Sequence, residues 1–91
     1  MRQYVIDGNN FNGVSTFYDE VSKVFSFPDY FGRNLDALYD SLSDIGEPVE
    51  IIWKNSQKSK EEFSNDASQP MFFSQVMYTM NDVFELKVTL E

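Results

Sequence analysis

The reading of this chain turns on Phe27-Pro28-Asp29-Tyr30-Phe31-Gly32-Arg33-Asn34-Leu35-Asp36-Ala37-Leu38-Tyr39-Asp40-Ser41-Leu42. The stretch holds a stop, a loop and a start. The residue before a proline is pushed out of the helical region, so Phe27-Pro28 ends any helix that precedes it. Asn34 is a candidate N-cap, because its side-chain oxygen can accept from amides that a new helix leaves free. From there Leu35, Leu38, Leu42 and Ile45 form an apolar stripe, and Gly46 with Pro48 stops it. Asp36 and Asp40 lie four apart and share a different face, with Tyr39 beside them. Arg33 and Asp44 extend that row. The helix dipole favours Asp36 near the N-terminus but disfavours Asp40 and Asp44 toward the other end. Costs of this kind gather at functional sites, although a merely solvated acidic face has the same spacing. In the loop, Phe31 is expected in the core. Tyr30 suits either a lid or an exposed recognition surface. Gly32 supplies a positive φ or a close backbone approach.

Working outward, Gln3-Tyr4-Val5-Ile6 is a β-prone run closed by Asp7-Gly8. Val14, Phe17, Tyr18, Val21, Val24 and Phe25 follow helical spacing, with Thr16 and Asp19 placed for a capping box near the start. Val49 to Trp53 reads as a short, mostly apolar strand in a covered sheet. A short helix is expected from Ser56 to Phe63, with Ser59 and Glu62 as its capping pair. Pro70 suits the first turn of a further helix carrying Met71, Phe72, Phe73, Val76, Met77 and Met80. Phe84, Leu86, Val88 and Leu90 alternate with polar residues in a closing strand. The order β-α-α-β-α-α-β predicts an α/β fold: a three-stranded parallel sheet with right-handed crossovers and three to four helices on at least one face.

Composition narrows the chemistry. Ninety-one residues make one domain, and nothing between 1 and 91 reads as a linker. At 10.6 kDa, size scaling predicts a folded surface of roughly 5,500 Å², enough burial for one core. The absence of cysteine and histidine removes thiol chemistry, thiolate zinc sites and the usual general base. Asp36 and Asp40 alone make a weak case for a Mg²⁺ phosphodiesterase, since no base or phosphate loop accompanies them. The chain therefore reads as a non-enzyme without catalytic residues, cofactor or metal. Fifteen acidic residues against seven basic ones give a net charge of -8. That charge repels nucleic acid and anionic membranes and attracts cationic partners. Between Asp29 and Glu50 six carboxylates face only Arg33, so this window holds -5 of the charge. No apolar run has signal-peptide or membrane-span length, and a cytoplasmic location is the expectation.

The quoted stretch resembles the barstar family, small acidic inhibitors of secreted bacterial ribonucleases of the barnase type. The shared pattern is Pro, an acid, two aromatics, Gly, any one residue, then Asn-Leu-Asp-Ala-Leu, an aromatic and Asp. The first strand ending in Gly8, Pro48 before a strand ending in Trp53, and the closing strand also fall where the family has them. The resemblance implies a three-stranded parallel sheet packed with helices. It also implies mimicry, in which carboxylates of the second helix plug the cationic cleft of a basic ribonuclease. Carried over by matching residue, Asp40 stands in for the substrate phosphate and Asp36 pairs with cations beside it. Tyr30 and Tyr39 pack at the rim or against the catalytic residues, and Gly32 lets the backbone come close. Asn34, Asp44 and Glu47 complete the candidate partner-binding set. The chain departs from the pattern at Tyr39, where tryptophan is usual, at Asp44-Ile45 in place of Gly-Trp, and at Tyr78 in place of an acid. The loop into Pro48 is one residue shorter. A free monomer is expected. The alternative reading is an acidic module of the same fold for another basic protein.

Overall fold

The computed structural model describes residues 1–91. Strands β1 (Arg2–Asp7), β2 (Val49–Lys54) and β3 (Leu86–Leu90) form one parallel sheet in the order β1-β2-β3. Helices α1 (Val14–Phe25) and α2 (Leu35–Ser43) make the first crossover, and α3 (Ser56–Ser64) and α4 (Phe72–Asn81) the second. The predicted order of elements is the observed one, with four helices. The accessible surface is 5381 Å², close to the value expected from mass alone.

Register sorts the strand residues by face. Ile6 pairs with Trp53, Tyr4 with Ile51, and Val88 with Ile51, so these share the inner face. Ile6, Val49, Ile51 and Trp53 are all buried there. The opposite face is not covered. Gln3, Glu50 and Lys87 form one row across it, and Val5, Ile52 and Thr89 the next. Val5 is exposed and Ile52 half-buried, so the apolar run of β2 does not mark a sheet covered on both sides.

The core centres on Trp53. Its ring stacks on Phe17 of α1 at 5.5 Å and lies 5.3 Å from Phe73 of α4. The indole Nε1 donates to Ser59 Oγ of α3 at 3.1 Å. Ser59 is therefore a buried acceptor, not the cap expected of it. The cap position of α3 falls to Asn55, whose left-handed backbone (φ 55°) suits asparagine better than most residues.

Other termini shift similarly. Thr16 is not the N-cap of α1: Gly13 is, and Thr16 Oγ1 reaches back to accept from the amides of Asn12 (3.0 Å) and Gly13 (3.1 Å). Helix α4 begins at Phe72, after rather than at Pro70, and leaves Met71 exposed. Phe84 lies outside β3. Glu85 takes a left-handed backbone (φ 59°) and breaks the alternation, which puts Phe84 in solvent at 87% exposure.

Tyr18 sits among Phe17, Phe31 and Phe72, and burial raises its phenol from the ordinary 10.0 to about 12, against a smaller opposing pull from Arg33. The folded state thus holds this proton more tightly than the unfolded chain. The stabilisation is complete below pH 10 and is lost as pH rises toward 12. Urea midpoints measured across that window should fall more steeply for the wild type than for Tyr18→Phe.

Candidate partner-binding face

The loop leading to α2 is built on aromatic packing. Ser26 ends α1 in the left-handed conformation (φ 55°), and Phe27 stacks on Phe25 at 5.4 Å. Phe31 lies 4.8 Å from Phe27 and 6.0 Å from Tyr18, so it packs half-buried against the core and not within it as expected. The Phe31 amide donates to the Pro28 carbonyl at 2.9 Å, which folds the intervening residues into a turn. Tyr30 at its tip is 88% exposed, which selects the surface reading over the lid.

Two adjacent residues then solve different problems. Arg33, not Gly32, adopts the positive φ (52°). Gly32 serves the close approach instead: a Cβ there would stand 3.1 Å from the Ala37 methyl. Arg33 also leaves the acidic row it was expected to extend. Its guanidinium pairs with Asp19 at 2.7 Å and donates to the Ser15 carbonyl at 2.7 Å, both on α1.

Asn34 caps α2 as predicted. Its Oδ1 accepts from the Ala37 amide at 2.7 Å, and its Nδ2 donates to the Gly32 carbonyl at 3.2 Å. Both ends of this amide are engaged locally, and the cap sets the rotational phase of the helix. Leu38 and Leu42 are buried, while Leu35 and Ile45 are half-buried. With that stripe held, Asp36, Tyr39 and Asp40 point outward; Tyr39 is 37% exposed.

Charge on this face is simpler than the sequence window suggests. Glu50 projects onto the open sheet face, where Thr89 Oγ1 and Gln3 Nε2 each donate to it at 2.8 Å. Those two bonds hold its carboxyl below the usual carboxylate range. Glu47 pairs with Arg2 at 3.2 Å. The window's one cation is held by Asp19. What remains is Asp29, Asp36, Asp40 and Asp44, none of which makes an ion pair or a side-chain hydrogen bond. Asp44 occupies the C-cap of α2, against the dipole. The Asp36–Asp40 repulsion costs a few tenths of a kcal/mol and the Asp44 placement about 0.3–1 kcal/mol. A protein stabilised by about 5–15 kcal/mol tolerates both.

The structure thus brings Tyr30, Gly32, Asn34, Asp36, Tyr39, Asp40 and Asp44 onto one loop and one helix, with Glu47 just beyond and already partnered. Sequence reasoning missed Phe84 and Glu85. A cleft of about 380 Å³ runs between the C-terminal end of α2 and the turn before β3, lined by Tyr39, Pro48, Phe84 and Glu85 among others. Phe84 is in phase with Leu86 and Val88, so nothing in its spacing separates it from the strand. Only the backbone of Glu85 does.

Set against known proteins, residues 1–85 match the family described as Barstar (barnase inhibitor). The chain belongs to the barstar family. It is also 41% identical over 66 residues to the Bacillus subtilis (strain 168) protein named "Putative ribonuclease inhibitor YrdF", covering 71% of this chain and 67% of that one.

Replacing Asn34 by alanine should lower stability by about 1 kcal/mol, since one helix-end amide loses its acceptor, whereas glycine should cost only a few tenths. Chemical denaturation of the two variants checks the difference.

Proposed function

We propose that this protein is a cytoplasmic inhibitor of a basic, extracellular-type ribonuclease of the barnase class. The observation that carries the reading is the row Asp36, Asp40 and Asp44: three exposed carboxylates without internal partners, on a helix capped and packed so that it cannot turn them away. An enzyme that cleaves a phosphodiester must surround it with cations. A rigid helix carrying carboxylates offers those cations the charge they are built to hold, without a bond to cleave. In this reading Asp40 occupies the central anion position and Asp36 pairs beside it. Tyr30 and Tyr39 supply flat apolar area beside them, and tyrosine is among the side chains that contribute most to association. Gly32 permits close backbone approach. The small penalties at Asp40 and Asp44 are relieved when a partner brings cations, so that relief adds to the affinity. Membership in the barstar family supports the same role.

The experiment is titration of barnase activity with the purified protein. Asp40→Ala should keep the thermal unfolding profile and weaken inhibition by at least about 2 kcal/mol, a hot-spot effect. Equal inhibition by variant and wild type would refute the mimicry.

Steering supplies an independent check. With a net charge of -8, association rates measured by stopped flow should fall steeply as salt rises, while dissociation changes less.

A second reading, the same face serving a different basic protein, is favoured by the rim. Tyr39, Asp44, Ile45 and Tyr78 all differ from the family pattern, and rim residues set the choice of partner. Absence of barnase inhibition by the wild type, with a folded spectrum, would favour it.

A further inference from the structure

The cleft between α2 and the turn before β3 has the makings of a cation site. Tyr39 and the exposed Phe84 line it, and Leu42, Pro48 and Val83 supply further apolar surface. Two carboxylate residues, Glu47 and Glu85, line it as well. Glu85 makes no ion pair, and Glu47 is engaged with Arg2 through one oxygen. Ser43 and Gly46 bring the C-terminal end of α2 to the same space. That end carries the negative pole of the helix, and its last turn holds no basic residue.

Two features of the chain meet here. Phe84 is the most solvent-exposed phenylalanine of the protein (87%), and Glu85 holds a left-handed backbone (φ 59°) that non-glycine residues seldom adopt. The Glu85 carbonyl accepts from the Val49 amide at 3.0 Å, so this backbone turn leads into the pairing of β3 with β2 while both side chains stay in solvent.

We propose that this cleft receives an arginine side chain of the protein partner that docks on the α2 face. The proposal rests on the reading above that such a basic partner exists. Aromatic faces attract a cation, and arginine's flat, weakly hydrated guanidinium stacks on them better than an ammonium does. The carboxylates of Glu47 and Glu85 and the pole of α2 complement its charge. Because Tyr39 belongs both to the cleft and to the α2 face, the site extends the docking surface past the helix onto the turn before β3. Phe84 and Glu85 are then residues that select among partners.

The test is a ¹H–¹⁵N titration of the full chain with N-acetyl-arginine amide at low salt, with the neutral N-acetyl-citrulline amide as control. The expected result is saturable shifts centred on Tyr39, Gly46, Phe84 and Glu85. They should fall at least threefold in Phe84→Ala and in Glu85→Gln, and be absent with citrulline. Phe84 and Glu85 are exposed, so unchanged spectra elsewhere report an intact fold. Shifts centred on Asp36 and Asp40, shifts indifferent to the two variants, or no shifts at all would overturn the site. Barnase inhibition by the same proteins is read separately. Arginine binding in the cleft without any inhibition would sustain the site and discard the ribonuclease. Inhibition without arginine binding would do the reverse.

Discussion

The indole of Trp53 is the joint on which the molecule hangs. It projects from the central strand, so it meets three of the four helices packed on the sheet. Phe17 brings α1, Phe73 brings α4, Phe11 brings the segment after β1, and Ser59 anchors α3 through the indole N–H. A parallel sheet this small has no second layer to share the burden, so its inner face must be sealed by large groups. Gly8 shows how tightly. A Cβ there would fall 2.5 Å from both the Asn55 carbonyl oxygen and the Ser59 hydroxyl, and no side chain fits. The end of β1 and the start of α3 are consequently pressed together.

Helix α2 profits from this rigidity without contributing much to it. Two fully buried leucines, a cap at Asn34 and the Arg33 clamp onto α1 fix its position, and the rest of its surface stays free. The division of labour is economical. Residues that hold the helix are apolar or capping, and those that face outward are carboxylate or aromatic. A partner that docks here meets side chains whose backbone is already set, so little ordering entropy opposes association.

Much of this was legible in the chain. The order of elements, the cap at Asn34, the stripe through Leu38 and Leu42, and the outward pair Asp36 and Asp40 all follow from helical spacing and cap chemistry. Failures came where a backbone angle or a long-range partner decided the outcome. Arg33 reads as a member of the acidic row until α1 is folded beside it. Ser59 has capping spacing, yet a tryptophan six residues earlier claims it. Phe84 keeps perfect alternation with Leu86, and a single left-handed residue removes it from the strand. Glu47 and Glu50 count toward the local charge in sequence, whereas pairing and sheet register draw them off. Period and composition carry neither a single backbone angle nor a partner from a distant part of the chain.

The uncovered sheet face carries a consequence for the life of the protein in crowded solution. A bare three-stranded face with Val5 and Ile52 on it invites a second sheet to stack. Glu50 stands in the middle strand of that face beside Lys87, and a second sheet packed at the usual spacing of roughly 10 Å would take both charges out of water. The hydroxyl of Thr89 and the amide of Gln3 keep this carboxyl ionised further into acid than an ordinary glutamate. A chain stacking on this face would therefore have to strip water from a charged side chain already held by two hydrogen bonds, a cost that a purely apolar face would not carry.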